Sequence, residues 1–272
     1  MSTRVAWGYH MDMEDTSDYQ ASIRSWAREF SGNPHCDEGA DLHKDSLRYP
    51  HFEGGANFNL AKIVVRAMSA GVHSLNGLLD LEAGTEPGGV NAVAIAALSR
   101  TAIIAGATVT WLLESDDADV RFQRGLEMAC ENLRQMKSLA HKDGVYAKTI
   151  SPELPEIAKL YRDLAKAELA FIEDFAHKNG LSLAGKVENT ETIFKSSGRL
   201  NGVNGDPDDY RKKIQDHWRT GSAYAHALAW QYEPQLTPPP GEFREEMIAT
   251  AFLLVADAKE LFDKRRMVSP GR

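Results

Sequence analysis

Val90-Asn-Ala-Val-Ala-Ile-Ala-Ala-Leu-Ser-Arg-Thr-Ala-Ile-Ile-Ala-Gly-Ala-Thr-Val-Thr-Trp-Leu-Leu-Glu114 is apolar on nearly every side and rich in Ala, Gly, Ser and Thr. A helix that is apolar all round belongs at the centre of a bundle. Its small residues permit close backbone approach. Asn91, Ser99, Arg100, Thr101, Thr108 and Thr110 interrupt the run, which favours a buried helix over a membrane span. Upstream, Leu60, Val64, Ala67, Met68, Gly71, Leu75, Leu78 and Leu79 form one helical stripe. Gly84 to Gly89, with Pro87, breaks it. Downstream, Ser115-Asp116-Asp117 predicts a capped start for a helix reaching about His141, with Phe122, Leu126, Ala129, Leu133, Met136 and Ala140 inward.

The pattern continues beyond that core. Asp143-Gly144 and Ser151-Pro152 bracket a connection. A long helix fits Pro152 to Lys178, with Ile157, Tyr161, Leu164, Phe171 and Phe175 inward and Asn179-Gly180 as its stop. Gly185 to Pro207 is polar, with one helical turn around Glu191 to Lys195. A further helix runs from about Asp208 to Tyr232 and ends at Pro234 and Pro238-Pro239-Pro240. The last spans about Glu242 to Lys264, with Met247, Ala251, Leu254, Ala258 and Leu261 inward. No strand-like alternation of useful length and no internal repeat is present. The expected fold is all-α, an antiparallel bundle of five to seven helices.

Residues 1 to 56 differ in character. They hold ten acids against five Lys/Arg, a net of −5 within a chain total of −8. Breakers collect at Ser31-Gly32-Asn33-Pro34, Tyr49-Pro50 and Gly54-Gly55. One helix fits Ser17 to Phe30, with Ile23, Trp26, Ala27 and Phe30 on one face. The expected organisation is an acidic, loop-rich arm over 1–56 laid on a bundle over 57–272. The chain has 272 residues, 43% hydrophobic and 26% charged, which excludes wholesale disorder. The acidity disfavours a surface that grips nucleic acid everywhere, though not a local basic patch. Two cysteines, Cys36 and Cys130, exclude a disulfide scaffold or a cysteine-rich zinc site. With no targeting signal in view, the expected location is cytoplasmic, without a membrane partner.

The most informative segment for chemistry is Asp209 to Tyr232. Ile214, Trp218, Gly221, Ala225, Leu228 and Tyr232 fall within a narrow arc and form its core face. Bordering that arc, Arg219, Ser222 and His226 make a polar row, extended by Gln215. The row combines a permanent cation, a hydroxyl and an imidazole that titrates near neutrality. In a phosphate or RNA site, His226 acts as general acid or base, Arg219 holds the phosphate and Ser222 orients an oxygen. In a purely structural row, Arg219 and His226 bond carbonyls or carboxylates of neighbouring helices. Arg211, Lys212, Lys213 and Arg219 outnumber Asp216, so the segment is locally basic, and Arg211, Lys212 and Arg219 are the candidate phosphate ligands. Lys264-Arg265-Arg266 is a second basic cluster.

Arg219-Thr-Gly-Ser-Ala-Tyr-Ala-His226 resembles the Arg-spacer-His signature of HEPN-type helical proteins. It is also similar to a Ser-Ala-x-x-His helix of uncharacterised actinobacterial helical proteins. The resemblance covers one helix. Its six-residue spacer is at the long end for the family, and Thr220 stands where Asn or Asp is common. Arg219 and His226 map to the signature. The resemblance implies an RNA-binding protein or a metal-independent endoribonuclease, working as a homodimer that brings two Arg/His sets together. The alternative is a non-enzymatic scaffold or regulatory module that holds a protein partner through the acidic arm or a bundle face.

Arg100, inside the central helix, must find a carboxylate or several carbonyls if buried, with Glu114, Glu127 and Glu168 as possible partners. Together with Arg121 it either lines the His226 pocket or ties the bundle. A small-molecule pocket at Gly106, Ala107, Trp111, Gly221 and Ala225 is a third reading. Metal chemistry has little support. Asp174-x-x-His177 lacks a second matching pair, and His35, Cys36, His43 and His51 match no zinc spacing. No cofactor motif of the glycine-loop or nucleophile-elbow type occurs.

Overall fold

The computed structural model describes residues 16–32, 34–84, 92–147, 154–183, 207–225 and 240–268. Among these residues there are eight helices and no strand. They are α1 (Thr16–Ser31), α2 (Asp41–Leu47), α3 (Leu60–Gly84), α4 (Ala92–Leu113), α5 (Ala118–Ala147), α6 (Leu154–Lys178), α7 (Pro207–Ala225) and α8 (Pro240–Arg266). The all-α class holds. The count exceeds the expected range because α2, seven residues long, is too short to show a stripe in sequence. The expected turn at Glu191–Lys195 and the stretch from His226 to Tyr232 lie outside the described residues.

The chain folds as two compact units. One comprises Met1–His35, Val64–Glu114 and Asn189–Arg265, the other Cys36–Ile63, Ser115–Glu188 and Arg266–Arg272. Helix α1 belongs to the first and α2 to the second.

In the first unit, α4 occupies the position its sequence demands. Ala102, Ile103, Ala107, Val109, Leu112 and Leu113 are fully buried. Helices approach it closely at glycines. A Cβ added at Gly71 of α3 would lie 3.0 Å from Ala105 Cβ, and one at Gly221 of α7 would lie 2.9 Å from Ala96 O. A Cβ at Gly106 would lie 2.6 Å from the backbone carbon of Leu254 on α8. Gly106 and Gly221 therefore serve close packing, which takes up the space the pocket reading needed. Val93–Leu113 is long and apolar enough to cross a membrane by length and composition, and just over half of it is buried in the protein. Helix α1 buries Ile23, Ala27 and Phe30, while Trp26 stacks on Phe252 of α8 at 5.9 Å. The inward residues expected on α8 are all buried. Pro240, read as a terminator, is instead the first residue of α8, where its missing N–H costs nothing.

In the second unit, α3 starts at Leu60, the first residue of its stripe. Asn57 sits at φ 47°, and Asn59 is the cap, its Oδ1 accepting from Lys62 N at 2.9 Å. The loop before it is clamped by the buried Glu168 of α6. Its two carboxylate oxygens accept from Ala56 N and Asn57 N, each at 2.7 Å. Helix α5 runs through Asp143-Gly144 to Ala147, past the break expected there. Gly180, at φ +68°, follows the end of α6 as expected.

The inward face of α6 needs correction. Its buried residues are Ala158, Ala165, Glu168, Leu169, Ile172 and Ala176. Ile157, Tyr161 and Phe171, expected inside, are exposed, and so is Leu160. Apolar residues span a wide arc of this helix, and the side that carries Ala158, Ala165, Leu169, Ile172 and Ala176 is the one that lies inside the unit. Alanines hold three of the six buried positions, interleaved with Glu168, Leu169 and Ile172.

Candidate functional site

The site is built where α4 meets α7. Gly221 makes the meeting possible, because a Cβ there would lie 2.9 Å from both Ala96 O and Arg100 Cβ. One residue on, Ser222 Oγ accepts a hydrogen bond from Arg100 Nε at 2.7 Å. Both side chains are half-buried. The hydroxyl thus fixes Arg100 on the edge of the row read from the sequence. Among the described residues no carboxylate lies within ion-pair distance of Arg100. Of the three glutamates considered as partners, Glu168 is engaged by the loop amides, and Glu127 accepts from Gln123 Nε2 at 3.3 Å.

Arg219 is exposed on α7, one turn before Ser222 and on the same side of the helix. Lys212 is exposed two turns earlier still. Helix α7 is described as far as Ala225, so His226 lies outside the described residues, as does the Arg211 side chain. The structure therefore brings Arg100 and Ser222 together beside Arg219. The sequence had offered Arg100 only carboxylates and carbonyls, whereas a hydroxyl meets its Nε and leaves the two terminal nitrogens for another acceptor.

Arg121 goes elsewhere. In the second unit its Nε donates to Asp45 Oδ2 at 2.7 Å, and its Nη1 donates to the Ser115 and Asp116 carbonyls at 2.9 and 3.0 Å. It is a structural tie, and it belongs to a different unit from Arg100. The basic cluster at the end of α8 is also structural in part. Arg265 is buried and donates to Leu113 O, a carbonyl at the end of α4, at 3.3 Å.

His217 was not singled out in sequence. It is buried on another side of α7, with Nδ1 3.0 Å from Thr250 Oγ1 and Nε2 3.6 Å from Glu246 Oε2. The only sequence signal for it is its place one residue from Trp218, on the edge of the core arc. Its partners on α8 make it a polar tie between α7 and α8.

No group of three His, Cys, Asp or Glu side chains that could hold a metal ion occurs among the described residues. Asp174 pairs with Lys178 at 2.6 Å, and His177 is exposed. The two cysteines differ in burial. Burial pushes the Cys130 thiol up to about 11. Burial, and then the nearby Asp37 charge, raises Cys36 as well, but Cys36 is only half-buried. The thiolate is the reacting form, so at pH 8 only about one Cys130 in a thousand is competent. Iodoacetamide at pH 8 is expected to label Cys36 in the native protein and Cys130 only after denaturation. Equal native labelling, read by mass spectrometry, would contradict this burial.

No family model matches the chain, and no significant match is found among curated proteins or solved structures.

Proposed function

We propose that the α4–α7 face binds a phosphate of an RNA backbone. The observation that carries this reading is the Arg100–Ser222 hydrogen bond at 2.7 Å. It holds a guanidinium without a carboxylate partner among the described residues beside the exposed Arg219. The terminal nitrogens of Arg100 offer a fork that matches phosphate oxygens, and Arg219, one turn before Ser222, adds positive charge. The neighbouring Lys212 adds to the positive field that draws a polyanion. The resemblance of Arg219 and His226 to the HEPN signature favours RNA over other phosphates. In the catalytic form of the proposal, His226 moves the proton of the attacking or leaving oxygen and Arg219 stabilises the charge that develops on the phosphate.

The test is anisotropy of a labelled single-stranded RNA against salt. Wild type is expected to bind at low salt. Arg100→Gln and Arg219→Gln should each weaken binding by about tenfold, the scale of one charged hydrogen bond. Each should also flatten the salt dependence by about 0.7 in log–log slope. No RNA binding at low salt, or unchanged affinity in both variants, would remove the proposal. Incubation with RNA in EDTA separates binding from cleavage. RNA left equally intact by wild type and His226→Ala would retain the binding function and discard the catalytic one.

A further inference from the structure

Helix α6 leaves a row of apolar side chains in solvent. Leu160 is 59% exposed, Tyr161 56% and Ile157 48%. Exposed Ile157, Leu160 and Ala167, half-buried Leu164, and Phe171, whose ring also packs on Phe52 at 5.5 Å, follow one another at spacings of three, four, three and four residues. That is the repeat of a helix seam that takes a second helix. At 100° per residue these five lie within an arc of about 80°, beside and not on the buried arc of α6. The row is a little over 20 Å long at 1.5 Å per residue, about four turns. Ala167 and Ala170, both exposed, leave room for a close approach in its second half.

One edge of the row borders the buried residues of α6 from Ala165 onward, while near its start that edge carries the exposed Tyr161. The open edge carries Glu156 and Asp163, one heptad apart, and Ala170 a heptad later. No basic residue lies on that edge. Lys159 and Lys166 sit about 60° farther round, away from the row. Asp163 contacts its sequence neighbour Arg162 at 3.2 Å, a solvent-exposed pair that a stronger partner can exchange. Asp174 and Lys178 pair across one turn and end the apolar row.

We infer that this face docks an amphipathic helix of another polypeptide, one with apolar residues at heptad spacing and Lys or Arg on the flank that meets Glu156 and Asp163. A second copy of α6 is the poorer occupant. In antiparallel two-fold pairing, equivalent flanks face each other, so Asp163 would meet the Asp163 of the copy and no cation would meet either. The inference is independent of the RNA reading, which concerns the other unit. It gives the interaction-module alternative a defined surface.

The probe is a dye-labelled 22-residue peptide with Leu at heptad seam positions and Lys on the flanks. Its controls are the same peptide with Glu for Lys, and a scrambled peptide of identical composition. Each is titrated with the full chain by anisotropy. The Lys peptide is expected to bind saturably and to weaken as salt rises from 50 to 500 mM. Leu160→Asp should weaken it at least tenfold while leaving the thermal midpoint unchanged, because the site is exposed. Glu156→Lys with Asp163→Lys should shift preference to the Glu peptide. Equal binding of the scrambled peptide, no saturable binding, or full binding by Leu160→Asp would overturn the inference. Sedimentation that shows a dimer dissolved by Leu160→Asp would assign the face to a second copy and overturn it equally.

Discussion

Arg121→Ala is expected to lower stability by about 3–5 kcal/mol, the cost of stranding one half of a buried ion pair. The pair is Arg121 Nε to Asp45 Oδ2 at 2.7 Å, with side chains only 3% and 4% exposed. Removing Arg121 leaves a buried carboxylate without its cation. It also takes the donor away from the Ser115 and Asp116 carbonyls, just before α5 begins. Arg121→Lys should recover little, because one ammonium cannot reproduce the fork that serves a carboxylate on one side and two carbonyls on the other. Asp45→Leu combined with Arg121→Met should come back towards wild type, since apolar pairs of similar volume often replace buried ion pairs without loss. Arg48–Asp119 supplies the contrast. Its distance is 2.6 Å, but its side chains are 36% and 81% exposed. Asp119→Ala should cost no more than about 1 kcal/mol. Urea unfolding followed by circular dichroism measures all of these. Equal small losses for Arg121→Ala and Asp119→Ala would mean that burial is not what gives the first pair its weight.

The sequence shows α4, α3, α1 and α8 well because their apolar arcs coincide with what is buried. An all-round apolar helix has only one stable place in a helical fold, so Val90 to Glu114 could be placed without knowing its neighbours. Helix α6 is the opposite case. Its apolar residues cover both the Ala158–Ala165–Ala176 side and the Leu160–Leu164–Phe171 side. Periodicity reports that such a helix is amphipathic, and packing decides which half is covered. The half with Ile157, Leu160 and Phe171 looks the more hydrophobic, yet the half with Ala158, Ala165, Leu169, Ile172 and Ala176 is the one that is buried.

Long-range polar pairing was legible only as a need. Arg100 lies in an apolar run and, if buried, had to find an acceptor, while Arg121 was grouped with it as either pocket lining or a tie across the bundle. Nothing local says that the acceptors are Ser222 and Asp45, 122 and 76 residues away. Ser222 was already a candidate through its place between Arg219 and His226, and Arg100 was a candidate through its isolation. Their meeting depends on Gly221, whose role in bringing α7 onto α4 becomes visible only in three dimensions.

Gly106→Ala is expected to destabilise the protein by about 2 kcal/mol, against the sign of helix propensity. Alanine in place of glycine inside a helix is worth about 1 kcal/mol in favour of the variant. Overpacking opposes it by about 1–3 kcal/mol, and by more where backbone is the obstacle. Here the new Cβ would meet Leu254 C at 2.6 Å, Leu254 O at 2.7 Å and Leu254 Cβ at 2.9 Å. None of these atoms can turn aside by a rotamer change, so α4 and α8 must separate. Separation loosens the contacts of Ile103, Ala107, Ala251 and Val255, all of them buried. The thermal midpoint should fall by about 4–8 °C. Leu254→Ala cannot rescue the variant, because alanine keeps all three clashing atoms, and it adds the cost of a cavity, about 2–5 kcal/mol. Gly77→Ala on α3 is the control. Its Cβ would sit 3.4 Å from Leu98 Cδ1, an ordinary contact with the end of a flexible side chain. It should raise stability by up to about 1 kcal/mol. If thermal unfolding shows both alanines stabilising, α4 does not lie against the α8 backbone, and the central position its sequence demands would have to be filled in some other way.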